Sequence, residues 1–218
     1  MSLLQRPTSL LLASASPARL TTLRRAGIEP LVQVSTVNED ALLARALRAN
    51  PHLSPADQVL VLAQGKARDV AGNLAAGAHP ELIVGADSML EFDGQVVGKP
   101  HSPETAIARW MSMAGHSAIL HSGHWVIAAD GREVGATSST TVHFARLSQQ
   151  EVLAYVASGE PLEVAGAFTI DGLGGPFISH IEGDHHGVLG LSLPLLRTLL
   201  IKLDISWPSL WNTTKSVG

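Results

Sequence analysis

The chain has 218 residues, of which 45% are hydrophobic and 16% are charged, so it can bury a large core and is not a disordered tail or linker. Its formal net charge of −4 argues against general electrostatic binding to a nucleic acid polymer. The absence of cysteine excludes disulfides, thiolate-bound zinc and a thiol nucleophile. Because no apolar run reaches the roughly 18 residues of a membrane helix and no convincing secretion signal is present, we expect a cytoplasmic protein without a membrane partner.

Strands and helices alternate in the first part of the chain, which predicts an α/β core. Three Ser-Pro pairs each predict the start of a helix, since the serine caps the first turn and proline suits the first helical position. Each of these helices is expected to end near a glycine. The predicted helices span 17–27, 55–77 and 103–115, and the predicted buried strands span 9–13 and 82–86.

The second part of the chain predicts a long antiparallel hairpin and two more helices. Two segments rich in β-branched residues flank an Asp-Gly turn, which is typical of a hairpin. Ser148 and Glu151 have the spacing of a capping box, and leucines near residue 200 have helical spacing. The predicted strands span 119–129 and 134–145, and the predicted helices span 149–158 and 194–203.

The end of the chain shows no periodicity from Trp207 to Gly218. We therefore expect this tail to fray, although its two tryptophans could pack on the body of the protein or on a partner. The predicted organisation is one domain over residues 1–206 followed by a tail over residues 207–218.

Asp87 and Lys66 are the first candidate functional residues. Asp87 directly follows a predicted buried strand, the place where open α/β sheets bind ligands, although turns and helix caps also use aspartate there. Lys66 shares a helix face with Leu62 and Val70, four residues to either side. Its ammonium must either extend to solvent or point into a cleft that holds an anion.

Two further cations lie in unusual local contexts. Arg19 lies in the first turn of a helix, whose positive end attracts an anion, so with Ser14 and Ser16 it is suited to recruit a phosphate or carboxylate. Lys99 lies between Gly98 and Pro100 in a segment that lacks the spacing and the hydroxyl residue of a P-loop. It is either fixed there for a ligand or solvated in a hairpin turn.

Ten histidines raise the question of a metal site. His121 and His124 would point to opposite sides of a strand. Asp184-His185-His186 is the better candidate, although a solvated loop explains that pattern as well. The segment around Ser192 lacks the second glycine of a nucleophile elbow, so a serine hydrolase is poorly supported.

Taken in chain order, several motifs resemble those of the Maf-type nucleoside triphosphate pyrophosphatases over residues 10–203. The resemblance implies a single two-lobed α/β domain with a mixed, strongly curved sheet flanked by helices and a cleft between the lobes. It also implies a homodimer, a divalent cation (Mg²⁺ or Mn²⁺), and hydrolysis of nucleoside triphosphates to the monophosphate and pyrophosphate. The motifs are Leu12-Ala-Ser-Ala-Ser-Pro-Ala-Arg-Leu20, Asn38-Glu39, Leu62-Ala-Gln-Gly-Lys-Ala67, Gly85-Ala-Asp87, Gly98-Lys-Pro100, Ser122-Gly123, Gly159-Glu-Pro161, Ala165-Gly166 and Val188-Leu-Gly-Leu191.

The resemblance also assigns roles to individual residues. Asp87 matches the proton acceptor, and Glu39 with Asp87 matches the acidic residues near the metal. The triphosphate-binding residues are Ser14, Ser16, Arg19, Lys66 and Lys99, and the base-specificity positions are Ala18, Ser88 and Asp171.

This sequence departs from the family pattern at several positions, two of which are among those associated with base selection. Ala18 replaces an arginine, Val164 replaces the usual lysine, and Asp171 stands where glutamine is common. A preference for dTTP and UTP therefore cannot be carried over, and the substrate class includes non-canonical or modified nucleotides as well as common ones. An aspartate accepts hydrogen bonds only, whereas glutamine also donates them.

Two other classes of function are compatible with the sequence. A catalytically weak nucleotide-binding regulator of septum formation would keep the cations but would not need Asp87 positioned for attack. A histidine-dependent metallohydrolase would use His121, His124, His185 or His186 with a transition metal.

Overall fold

The structure is a computed structural model that describes residues 6–212. Helices and strands alternate through most of this range and form one α/β domain. The strands are β1 (Leu10–Ala13), β2 (Leu31–Val32), β3 (Leu82–Phe92), β4 (Gln95–Val97), β5 (Ser117–Ala128), β6 (Glu133–Phe144) and β7 (Ile178–Glu182). The α-helices are α1 (Pro17–Arg25), α2 (Glu39–Ala49), α3 (Pro55–Gly72), α4 (Pro103–Met113), α5 (Gln149–Ala157), α6 (His185–Val188) and α7 (Leu193–Lys202).

One seven-stranded mixed sheet organises the domain. Its strand order is β2-β1-β3-β5-β6-β7, and β4 pairs with the far end of β3. The pairs β2/β1 and β1/β3 are parallel, whereas β3/β5, β5/β6 and β6/β7 are antiparallel. The predicted α/β class with a mixed sheet flanked by helices is therefore confirmed, whereas the strong curvature, the two lobes and the cleft between them stay predictions.

The serine caps that predicted the helices are present. Ser16, Ser54, Ser102 and Ser148 each accept a hydrogen bond from a backbone amide of the first turn, and Glu151 completes the capping box. The predicted end of α3 near residue 77 is wrong, because the helix stops at Gly72 and Asn73, two poor helix formers in succession.

The expectation that a strand ends just before Asp87 is also wrong. Strand β3 continues to Phe92, because β5 pairs with it as far as Glu91. Its other neighbour β1 stops at the pair Ala13 and Gly85. Asp87 therefore lies within β3 but just past the carboxyl end of the parallel β1/β3 pair, where α/β sheets bind ligands.

Helix α3 packs unusually close to the sheet. A Cβ atom at Gly85 would collide with the backbone oxygen of Ala63, and one at Gly123 would lie 2.5 Å from the backbone oxygen of Val59. Both glycines are thus required by this close approach. The helix brings Lys66 down onto β3 beside Asp87.

Two apolar clusters form the core on the other face of the sheet. One includes Val84 and Ala86 with residues of α7, and the other includes Leu90 with residues of α4 and α5. Ser88 lies between them on β3, and its cross-strand partner Ser122 lies between them on β5. These two serines separate the two apolar clusters on this face.

The chain beyond α7 packs on the domain as far as it is described. Trp207–Leu210 form a 3₁₀ turn, and Leu210 is fully buried in the cluster that contains α7. The expectation that the tail frays from Trp207 is therefore wrong for residues 207–212, because Leu210 buries apolar surface there. The alternative that a tryptophan packs on the body of the protein is confirmed for Trp207, which packs against the same cluster. Residues 213–218 lie outside the described range, and the domain boundary after residue 206 stays a prediction. None of the described helices is both long and apolar enough to cross a membrane.

Candidate active site

A cavity of about 510 Å³ opens beside the carboxyl end of the parallel strands. Its wall is formed by the β1–α1 loop, by side chains of α3 and β3, by the Phe168–Asp171 segment and by the Val188–Gly190 segment. The structure brings every residue proposed from the sequence to this wall: Ser14, Ser16, Ala18, Arg19, Glu39, Lys66, Asp87, Ser88, Lys99 and Asp171.

Arg19 is the most extensively bonded cation of the cavity. The Ser-Pro start of α1 places it in the first turn, where its side chain is buried. Its Nε donates to the Gly190 oxygen at 2.9 Å, and Nη1 donates to Ser14 Oγ at 2.9 Å and to the Ala86 oxygen at 2.8 Å. Its Nη2 donates to Ser88 Oγ at 3.1 Å. Four of the five guanidinium N–H groups are thereby used by described residues, which leaves one on Nη2 for a ligand.

The structure settles where the Lys66 ammonium lies. Its side chain is 12% exposed, and Nζ lies 2.6 Å from Asp87 Oδ1 and 3.0 Å from Glu39 Oε1. The ammonium therefore points into the cavity and does not extend to solvent. Asn38 caps α2 and places Glu39 at the first position of that helix, opposite Lys66.

Asp87 is a buried carboxylate between two cations. Its residue is 8% exposed, and burial raises the pKa of the carboxyl above its ordinary value, although Lys66 and then Arg19 oppose this shift. Within the described residues, Lys66 donates to Oδ1 and nothing donates to Oδ2. Among the described residues, no fully buried side-chain oxygen lacks a hydrogen-bond partner. Because Oδ2 has no such partner, it must be accessible from the cavity. One oxygen of Asp87 is thus free to act on a ligand.

The remaining predicted residues lie at the rim or are already bonded. Lys99 is exposed, and Arg109 anchors the loop before it by donating to the Gly98 oxygen. Asp171 is exposed as well. Ser88 Oγ accepts from Arg19 and lies 2.8 Å from Ser122 Oγ, whose proton goes to the Gly187 oxygen, so the Ser88 proton is donated to Ser122.

Comparison with known proteins identifies the family. A model of the Maf-like protein family matches residues 9–203. The chain belongs to the Maf-like family.

Relatives of this Maf-like chain carry a common name. It is 51% identical over 209 residues to a nucleoside triphosphate pyrophosphatase of Nocardia farcinica, with 94% of this chain and 97% of the relative covered. It is 52% identical over 208 residues to one of Salinispora tropica, with 94% and 88% covered. A solved structure, the Ham1 protein of Staphylococcus aureus, matches at a TM-score of 0.44 and 12% identity over 89% of this chain and 99% of that one, too distant to inform on the site.

The cavity wall is supported by two residues to which the sequence analysis gave no role. Ser122 is fully buried and ties the Gly187 oxygen to β5. Glu160 accepts hydrogen bonds from Tyr155 Oη at 2.9 Å, from Thr169 Oγ1, and from the amides of residues 173 and 174 at 2.9 and 3.1 Å. Although burial opposes it, these bonds hold the pKa of Glu160 below its ordinary value. The sequence could have indicated both residues, since Glu160 lies in the Gly-Glu-Pro motif and Ser122 lies in the Ser122-Gly123 motif.

The oxygens of the Maf-like site fit a hard divalent cation. The donors available are the free Oδ2 of Asp87 and the second oxygen of Glu39, whose side chain is 49% exposed. Carboxylate oxygens without imidazole or thiolate are what Mg²⁺ and Mn²⁺ prefer.

The four histidines considered for a metallohydrolase do not form a site. Both ring nitrogens of His121 are hydrogen-bonded, to Ser139 Oγ at 2.8 Å and to Glu91 Oε2 at 2.9 Å. His124 Nδ1 lies 3.0 Å from the Ser122 oxygen, and its Nε2 accepts from the Ser192 amide at 2.8 Å. Within residues 6–212, neither these two nor His185 and His186 belong to a group of three metal-binding side chains.

Proposed function

We propose that this Maf-like protein hydrolyses nucleoside triphosphates, with a common or a modified base, to the nucleoside monophosphate and pyrophosphate. Its relatives at about half identity are named for this activity. The observation that carries the proposal is the buried Asp87, with one carboxylate oxygen held by Lys66 and the other free in a cavity lined by cations. The alternative, a catalytically weak regulator, is not favoured because it gives no reason for this arrangement of Asp87.

Asp87 is proposed as the proton acceptor. A water molecule in the cavity would give a proton to Oδ2 while its oxygen bonds to phosphorus, and the bridging bond between the α and β phosphates breaks. The raised pKa makes Asp87 a better base than an exposed aspartate, while Lys66 keeps it ionised.

The cations are proposed to bind the triphosphate. Arg19, Lys66 and Lys99 carry three positive charges, and Glu39, Asp87 and Asp171 carry three negative charges, so the cavity wall has no formal net charge. The three cations alone therefore do not neutralise the several negative charges of a triphosphate. Glu39 and Asp87 would hold Mg²⁺ or Mn²⁺, which when bound supplies additional charge neutralisation. Oδ2 of Asp87 has two lone pairs, so it can contact the ion as well as accept the proton.

Other features of the function are proposed from the resemblance and the composition. The protein is a cytoplasmic homodimer that binds no nucleic acid polymer, and Ser14 and Ser16 assist in phosphate binding through the β1–α1 loop. Ala18, Ser88 and Asp171 face the base, Ser88 with its hydroxyl already engaged by Arg19 and Ser122. Sedimentation of the purified chain tests the dimer.

Pyrophosphate release from common and modified nucleoside triphosphates, with Mg²⁺ or Mn²⁺, tests the activity. Asp87→Asn is expected to lower kcat by at least about 100-fold with nucleotide affinity nearly unchanged, because it removes the proton acceptor and keeps the cations. Asp40→Asn is the matched control, since Asp40 follows Glu39 and is exposed.

Three results would count against this proposal. No turnover of any nucleotide by the wild type would favour the regulator. Near wild-type kcat in Asp87→Asn would remove Asp87 from the chemical step. An equal loss in Asp40→Asn would show that the effect is not specific to Asp87.

A further inference from the structure

A group of metal-binding side chains lies at the sheet edge, away from the cavity. His143 on β6 and His180 on β7 are directly opposite each other in the antiparallel register. Glu182 follows His180 by two residues on β7, so it projects from the same face of the sheet. Within the described residues, this is the only group of three such side chains close enough to share an ion.

The donor atoms are already near the separation that a metal requires. One ligand atom of each side chain lies within 4.8 Å of those of the other two, and His143 Nε2 lies 2.8 Å from Glu182 Oε1. Ligands about 2 Å from a tetrahedral ion lie about 3.3 Å from one another. The present separations are therefore of the right order, and the exposed Glu182 side chain can rotate to adjust them while the rings keep their places.

The imidazole rings are held in place. The rings of His143 and His180 stack with centroids 3.8 Å apart and planes 9° from parallel. Ser179 Oγ donates to the His143 oxygen at 3.0 Å and lies 3.3 Å from His180 Nδ1. Since the hydroxyl proton is used, His180 Nδ1 is the donor in that contact, and His180 Nε2 keeps a free lone pair. Such a contact to the second ring nitrogen is what fixes a metal-binding histidine.

We propose that His143, His180 and Glu182 form a Zn²⁺ site. Two imidazoles and one carboxylate are a zinc ligand set, and the exposed position leaves the fourth place to water. None of the three residues lines the cavity, and their nitrogen ligands distinguish the site from the oxygen-only set of Glu39 and Asp87. The inference is therefore independent of the proposed hydrolysis.

A Zn²⁺ ion bound to these three side chains would link β6 and β7 at the edge of the sheet. Strand β7 is the last in the order, and among the strands of the described range only β6 pairs with it. An ion bound to both strands binds the folded state alone, so it raises the unfolding temperature as its concentration increases.

Calorimetric titration of the full chain with Zn²⁺ tests the site. Zn²⁺ can also bind Glu39 and Asp87, so the measurement compares the wild type with His180→Ala, which keeps those carboxylates. We expect His180→Ala to weaken binding at the edge by more than about tenfold and to abolish the associated rise in melting temperature. Glu182→Gln should weaken the same binding, whereas His52→Ala, at an exposed histidine in a turn, should not.

Imidazole NMR signals give a second measurement that does not depend on the variants. The signals of His143 and His180 should shift on addition of Zn²⁺ and should not shift on addition of Mg²⁺. Identical Zn²⁺ isotherms for the wild type and His180→Ala, or unshifted signals at both histidines, would overturn the proposal.

Discussion

At the scale of single residues, Lys66 controls the ionisation of the proposed base. Its ammonium contacts both Asp87 and Glu39, so Lys66→Met leaves a buried carboxylate without its nearest counter-charge. We expect the protein to fold, because Leu62 and Val70 border the same helix face. The pKa of Asp87 should rise further, and kcat/KM at neutral pH should fall by at least about 100-fold.

The pH profile separates this role from simple loss of phosphate binding. The acid limb of kcat/KM in the wild type should lie above the ordinary aspartate pKa of about 3.9, and it should move to higher pH in Lys66→Met. Lys202→Met, at an exposed lysine of α7, is the control. An unshifted acid limb with a raised KM would mean that Lys66 only binds substrate.

Substitution of Asp171 tests whether this residue contributes to the selection of the base. Its carboxylate lines the cavity, is exposed and accepts no hydrogen bond from the described residues of its own turn. A role in capping that turn therefore does not explain why an aspartate is present. Asp171→Gln adds a donor, and we expect it to change the ratio of kcat/KM between a pyrimidine and a purine triphosphate by more than about tenfold. If both values fall together at a constant ratio, Asp171 does not contact the base.

At the scale of elements, Glu160 anchors the segment that forms one wall of the cavity. A glutamine there would turn one acceptor oxygen into a donor that faces the Thr169 hydroxyl or the loop amides. Glu160→Gln should therefore loosen residues 168–174, raise KM about tenfold and cost about 1–3 kcal/mol of unfolding free energy. Because Glu160 is not among the residues that line the cavity, kcat should change by less than about threefold.

Steady-state kinetics and urea unfolding of the same samples check this expectation. Glu104→Gln, at an exposed glutamate in the first turn of α4, should change neither quantity. A fall in kcat without a change in KM would place Glu160 in the chemical step instead.

Elements with strong local signals were predictable from the sequence. The four serine caps and the Asp-Gly turn act through neighbouring residues, so they predicted four helices and the hairpin. Strand β2 has two residues and β4 has three, too few for any periodicity. Helix α2 was missed although Asn38 followed by Glu39 and Asp40 is a cap with an acidic first turn.

The candidate site was predictable as a set of residues but not as a geometry. Motif order selected the residues of the cavity wall, yet the pairing of Lys66 with Asp87 depends on how closely α3 packs on β3. The cluster of His143 and His180 shows the same limit, since only the β6/β7 register joins residues so far apart in the chain. Long-range register is not encoded in local spacing.

At the scale of the whole molecule, His124 makes stability depend on pH. It is fully buried, and burial first and the charge of Arg19 second lower its pKa to about 4. Because an unfolded histidine titrates near 6.5, the unfolded state takes up the proton first as the pH falls. The folded state is therefore destabilised between about pH 6.5 and pH 4, by about 3 kcal/mol in total.

Urea unfolding at about pH 7 and pH 4.5 measures this loss. The difference in unfolding free energy between the two conditions should be smaller in His124→Gln than in the wild type, whereas His52→Gln should keep the wild-type difference. Equal differences in all three proteins would assign the acid sensitivity to other groups.

The glycines beneath α3 affect how a mutational survey of this protein would be interpreted. Any side chain at Gly85 or Gly123 must push the helix outward, and the ammonium of Lys66 moves with it. Neither glycine has a functional group, yet an activity screen would score both as essential and rank them with Asp87. An abundance screen of the same library would separate the two kinds of position: folded but inactive protein at Asp87, and lower yield together with lost activity at the glycines. Attempts to stabilise the enzyme by replacing strand glycines with alanine should leave these two positions unchanged.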